Sequence, residues 1–418
     1  MVLATSEANV LAELAQLLSI ETLPQLSNKS QPGFHVQANT VVRLSLRDCG
    51  LTELPASLGK LANLEYLDLS GNHLTFLPTS FKALVRLKTL SLAENELSIC
   101  PPILQELANL EKLDLSSNKI TSLPDGLSQL TRLKELDLRR NQLTSLPSSL
   151  WQLAQLQVLV LGENPLIEPI PDTIANLSNL TQLYLHNLGL KVLPDAIASL
   201  NQLSILDLGH NQLISLPDSL FSLTNLTFLY CSDNQLTSLG AGVGKLTSLI
   251  YFGITHNQLT SLPPTIGNLS NLQELRLYHN RLTALPDTLT KLSNLRELHL
   301  NNNQLQILPD SLAGLTALRI LALADNELRL LPSASGALDS LTHLDLRNNQ
   351  LRLLPDWLGQ LANLTFLDLR ANYLRNLPDT LGRLPKIEKL DLRWNKLTEY
   401  PEWLENLKQQ GCSVFVSW

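Results

Sequence analysis

The sequence predicts an α/β solenoid of sixteen turns, a curved horseshoe with a parallel sheet on its concave face. Three observations predict it. The pattern Leu-x-x-Leu-x-Leu-x-x-Asn-x-Leu recurs from Val41 to the unit that begins at Ile387, and every step is 23 residues except one of 24. Leucine carries the core, because aromatic residues are only 5% of the chain and there is one methionine. No linker or low-complexity stretch interrupts the beat. A unit this short cannot bury its own apolar face, so it must stack on its neighbours.

The elements follow in chain order. Residues 1–40 are expected to form a helical cap over the first turn: Ser6 to Ile20 carries Val10, Leu11, Leu14, Leu17 and Leu18 at helical spacing. Residues 41–400 form the array. In each unit the Leu-x-Leu step alternates as a short strand does, with the leucines inward. Asparagine follows in fourteen units, where its amide can satisfy backbone groups of adjacent turns. Proline, mostly after leucine, comes next in fifteen of sixteen units, from Pro55 to Pro401. Proline cannot donate to a ladder, so strand pairing ends there and a short helical or extended segment follows on the convex side. Residues 401–418 are expected to close the far end with a short helix bearing Trp403, Leu404 and Leu407 and a last strand around Val414 to Val416.

Charge and composition exclude several classes. The formal net charge is −7 and no Lys/Arg stripe runs through the units, which argues against nucleic acid as a partner. No apolar run reaches the length of a membrane span, and Met1 to Thr40 lacks the pattern of a signal peptide. Cys49, Cys100, Cys231 and Cys412 lie far apart at core-like places, as in a cytoplasmic protein rather than a disulfide-capped one. Gly242-Val-Gly-Lys-Leu-Thr-Ser has Leu239 and Leu246 where a phosphate loop needs glycine and a hydroxyl, and no metal-ligand motif occurs. The chain is therefore expected to be non-catalytic, with no cofactor and no metal.

The repeat resembles the leucine-rich-repeat proteins. In particular, Leu-Pro-x-x-Leu-x-x-Leu in 23-residue units is similar to the intracellular Ras-group class and to the repeat arms of bacterial Roco proteins, over residues 41 to 410. That resemblance implies a non-catalytic protein-binding scaffold in signal transduction, with a small GTPase or a kinase as partner. The alternative is a regulator that inhibits or activates an enzyme by covering it.

Function is expected at the third, fifth, seventh, eighth and tenth positions of each unit, which face the concave side. Seven of eight histidines and six of seven tyrosines fall there; His35 is the histidine that does not. The richest part of the face is Val158, Val160, Tyr184, His186, Ile205, Phe228, Tyr230, Tyr251 and Tyr278, expected as an apolar and aromatic partner-binding patch. The tyrosines stacking merely to cover each other and the backbone is the competing reading. Departures from the consensus gather in the same stretch: Asn164 to Pro171 with its extra residue, Leu188, Cys231, Gly240 and Gly253. His210, Asp233, His256 and His279 form a column at the eighth position. The column is too straight to hold one ion, so polar contacts to a partner are the expected use. A secondary, more polar partner-binding area is expected at Arg347, Phe366, Arg370, Tyr373, Arg393 and Trp394, where Asp345, Asp368 and Asp391 balance the arginines.

Overall fold

The computed structural model describes residues 3–26, 31–309, 312–333 and 338–417. Its contacts divide the chain into two compact units, one of Met1–Leu190 with Ala196–Leu206 and one of Lys191–Asp195 with Asp207–Trp418. Sixteen described strands, from Thr40–Ser45 to Lys389–Asp391, correspond one to one with the sixteen repeats. Each unit is a solenoid of short parallel strands, followed in most turns by a five-residue 3-10 segment.

The first unit opens with helix α1 (Thr5–Leu17), which buries Glu7, Val10, Leu11, Leu14 and Ala15. Leu17 is 44% exposed and Leu18 is the capping residue, so the apolar stripe is shorter than the sequence pattern suggested. Glu7 is buried for a reason: its carboxylate accepts the backbone N–H of Val41 at 3.0 Å, tying the helix to the edge of the first turn. Between helix and array stands a strand the repeat pattern did not predict. Strand β1 (Gly33–Gln37) runs antiparallel to β2 (Thr40–Ser45) across a two-residue turn. Ala38 and Asn39 there have φ of 49° and 60°, the double left-handed conformation that suits the twist of a tight hairpin. From β2 the parallel strands continue in register to Gln182–Tyr184.

The second unit carries parallel strands from Phe228–Tyr230 to Ser413–Phe415. It ends with helix α2 (Glu402–Gln409), whose Leu404 and Leu407 are buried, and Ser413–Phe415 pairs with Lys389–Asp391.

The middle residue of every three-residue repeat strand is buried, whereas its two neighbours mostly remain partly exposed on the other face. The period of two thus sorts core from open face. Prolines before the 3-10 segments are extended, as at Pro55 (φ −69°, ψ 142°). Gly240 holds the same geometry, φ −62° and ψ 148°, without the ring. A Cβ on Gly240 would lie 2.6 Å from the Asp218 carboxylate and 3.1 Å from the ring of buried Phe221, and one on Gly242 would lie 2.6 Å from that ring. A bulky core residue in the preceding turn accounts for both glycines. Gly244 likewise leaves room for the Thr265 carbonyl, 2.6 Å from where a Cβ would sit.

Leu208 has no exposed surface. Leu208→Ala is expected to cost about 2–5 kcal/mol in chemical denaturation, and a loss below about 1 kcal/mol would contradict its core placement.

Candidate functional site

The open sheet face is built by a turn repeated without exception. The eighth residue of all sixteen repeats has a positive φ, from Asp48 (55°) and Gly71 (68°) through His256 (50°) to Trp394 (60°). Asparagine, aspartate and histidine tolerate this left-handed conformation better than most side chains. The His210, Asp233, His256 and His279 column therefore owes part of its composition to the backbone, a cause the sequence reading did not include.

In the first unit, Val158, Tyr184 and Ile205 are half-buried on the open face. Val160 is only 9% exposed and is part of the covered surface, not a solvent-facing anchor as expected. The His186 ring lies against Gly162, where a Cβ would stand 2.3 Å from its Cε1, and its Nε2 is 3.8 Å from Glu163. Leu188, which replaces the consensus asparagine, is 2% exposed and serves the core.

In the second unit, aromatic rings form two groups over consecutive strands. Tyr230 and Tyr251 have centroids 4.9 Å apart, tilted by 35°. His256 meets the Tyr278 ring edge-on at 5.4 Å and stacks on His279 at 4.4 Å. Phe228, Tyr230, Tyr251 and Tyr278 remain half-exposed, whereas His256 and His279 are exposed. Asp233 sits between two imidazoles, 3.5 Å from His210 and 3.8 Å from His256. Gly253 belongs to this packing: a Cβ there would stand 2.9 Å from the Tyr251 hydroxyl, so its departure from the consensus makes room for the ring. Burial lifts the Tyr251 phenol above its ordinary range, with the nearby Arg276 pulling the other way. Tyrosines that both stack and remain half-exposed combine the two sequence readings.

The next strands bring together a group that sequence reasoning missed. Ligand atoms of Glu274, Glu297 and His299 lie within 4.8 Å of one another. Glu274 pairs with Arg276, and Glu297 is 3.0 Å from His299. Only strand register could have revealed it, since the two glutamates come from adjacent turns.

Further along the second unit, Asp368 and Asp391 are almost wholly buried beneath their arginines. Arg370 is 2.5 Å from Asp368 and 3.4 Å from Asp391, and Arg393 is 2.6 Å from Asp391. These acids raise the pKa of both guanidinium groups. Trp394 is 61% exposed with a left-handed backbone, a costly combination for a bulky residue. Its N–H donates to Ser417 Oγ at 2.7 Å, and the Arg393 guanidinium lies 5.4 Å from its ring. Tyr373 is 51% exposed, Phe366 stacks on His343 at 5.7 Å, and Arg347 pairs with Asp345 at 3.5 Å.

The cysteines divide by burial. Cys100, Cys231 and Cys412 are buried, and desolvation pushes the Cys100 thiol up to about 12 and Cys231 higher still. Cys49 is only half-buried, less core-like than its position suggested, and its Sγ lies 3.3 Å from the Arg47 carbonyl. Among the described residues no helix is long and apolar enough to cross a membrane.

Comparison with known proteins agrees with this architecture. A leucine rich repeat model matches residues 39–97, 108–166, 131–190, 178–236, 329–374 and 339–397. A leucine-rich repeat region model matches 231–329, and a two-copy leucine rich repeat model matches 85–129. The chain belongs to the leucine-rich-repeat family. This leucine-rich-repeat protein is similar to one of known structure from Leptospira interrogans, at 34% identity over 89% of this chain and 94% of that one, with a TM-score of 0.82. It is also similar to the Arabidopsis receptor kinase HAESA, solved with the peptide hormone IDA and a co-receptor: 26% identity, 99% of this chain, 81% of that one, TM-score 0.72. No curated protein matches its sequence.

Burial is the largest influence on the Asp345 carboxyl and raises its pKa above the ordinary value, while the Arg347 backbone N–H and guanidinium oppose it. Ionising this group therefore weakens the fold. Its contribution is full below about pH 4 and is lost as pH rises through the elevated folded pKa. Asp345→Asn, which keeps an acceptor for Arg347, is expected to melt above wild type at pH 7 and level with it near pH 3. An unchanged or lowered melting temperature at pH 7 would contradict this.

Proposed function

We propose that this leucine-rich-repeat protein is a non-catalytic scaffold that holds a partner protein on its concave sheet face. The second unit's cluster of Phe228, Tyr230, Asp233, Tyr251, His256, Tyr278 and His279 is its anchor there. The observation that carries the reading is the half-exposed aromatic side chains on successive strands, with exposed imidazoles along one side. Large rigid rings with polar edges contribute contact area at low entropic cost, and repeat proteins use this sheet face for partners. His210 belongs to the same contact of the second unit, and Val158, Tyr184, His186 and Ile205 form a contact of the first unit, with Val160 supporting rather than touching the partner. The area around Trp394, Tyr373, Phe366 and Arg393 is a secondary contact. Arg347 and Arg370 contribute orientation there more than free charge, because Asp345, Asp368 and Asp391 engage them.

HAESA in its solved complex binds a peptide hormone and a co-receptor, which supports recognition of protein or peptide ligands for this repeat type. A small GTPase or kinase in cytoplasmic signalling is the partner class we infer. Well-separated free thiols, three of them buried, support a reducing compartment.

A pull-down from the native cell lysate should compare wild type with a Phe228→Ala, Tyr230→Ala, Tyr251→Ala triple variant shown by circular dichroism and melting to fold alike. The scaffold reading expects a specific partner captured by wild type and lost by the variant. Equal capture by both would contradict the assignment of the site.

A further inference from the structure

At the N-terminal end of the first unit, a cavity of about 750 Å³ opens on the sheet face. Arg43 and Ser45 of β2, Tyr66, Thr89 and Lys112 line it, and His35 of β1 is paired with Arg43 in register. Two polar groups here have no hydrogen-bond partner although they are buried: the Arg43 Nε and the Ser45 hydroxyl. Ser45 is 1% exposed. Residues two apart on a strand share a face, so both groups are presented to the same space, with their Cα atoms about 7 Å apart.

The two lysines here are already paired, whereas the buried Asp68, opposite Ser45 in register, is held by neutral donors. Lys88 is 2.9 Å from Glu65 and Lys112 is 2.6 Å from Glu135. Asp68 accepts the Ser70 backbone N–H at 3.0 Å and the Tyr66 hydroxyl at 3.4 Å. Among the described residues, Arg43 has no carboxylate within ion-pair distance; its guanidinium instead lies 4.4 Å from the centre of the Tyr66 ring. The ring covers one guanidinium face and the Tyr66 hydroxyl also interacts with the guanidinium, but the Nε–H is left without an acceptor. Leaving a buried donor unpaired costs about 1–3 kcal/mol, more when charged. A ligand that removes this cost needs negative charge and at least two acceptor oxygens, which describes a carboxylate or a phosphate.

We propose that this cavity binds the oxyanion of a small ligand, carboxylate or phosphate, with Arg43 as its charged anchor and Ser45 as a hydrogen-bond donor. The site uses no residue of the aromatic cluster, so it stands whether or not that cluster binds a partner.

Isothermal titration calorimetry on the full chain with inorganic phosphate, and separately with succinate, at constant ionic strength, tests it. The expected result is saturable one-site binding of at least one of the two, and the tighter anion identifies the ligand chemistry. Arg43→Gln is expected to weaken that binding about tenfold or more, and Ser45→Ala several-fold, with both variants melting like wild type. If Arg43→Gln fails to fold, the Ser45→Ala affinity decides. The proposal is overturned if neither anion binds saturably up to tens of millimolar, or if binding in Ser45→Ala equals that of wild type.

Discussion

One side-chain amide in each of fourteen of the sixteen turns holds this architecture together. In the second unit, Asn234 accepts the Leu213 N–H at 2.9 Å and donates to the Leu208 and Cys231 carbonyls at 2.9 and 3.2 Å. In the first, Asn95 does the same with Leu74, Leu69 and Leu92, at 3.0, 2.9 and 3.1 Å. Each amide bonds to its own turn and to the one before. Backbone groups at the end of such short strands would otherwise be buried without partners, at a penalty of about 1–3 kcal/mol each. The amide can reach them only because the residue just before it turns left-handed, in every repeat.

The same constraint decides where function has freedom. Inward positions are committed to leucine, the ladder position to asparagine, and the residue after Leu to proline or, beside Phe221, to glycine. What remains is the outer face of each three-residue strand and the two turn positions that follow. Aromatic rings, imidazoles and arginine–aspartate pairs accumulate there because nothing in the fold demands otherwise. The eighth position is the partial exception, since its backbone favours small polar side chains and histidine. That makes Trp394, which pays the backbone cost without being buried, a sharper functional signal than the histidines.

Period and register were legible in the sequence because they arise from local alternation: the sixteen strands and the core leucines follow from counting residues. The packing causes of Gly240 and Gly253 were not, since Phe221 lies a turn away and the Tyr251 ring had to be placed before its neighbour's lack of a side chain made sense. Val160 read as exposed because alternation identifies a face and not what covers it. The β1–β2 hairpin was hidden by a reading of the first forty residues as one helical cap, although Ala38-Asn39 between two short alternating runs carried a turn signal. Without that hairpin the cavity around Arg43 and Ser45 has no wall, and so it too was invisible.

The open strand face, and not the 3-10 side, is the surface we propose receives the partner. Hydrogen–deuterium exchange on the protein with and without its captured partner tests this most directly. Slowed exchange is expected across residues 228–230, 251–253 and 274–279. Slowing confined to the 3-10 segments 218–222, 241–245 and 264–268 would contradict it.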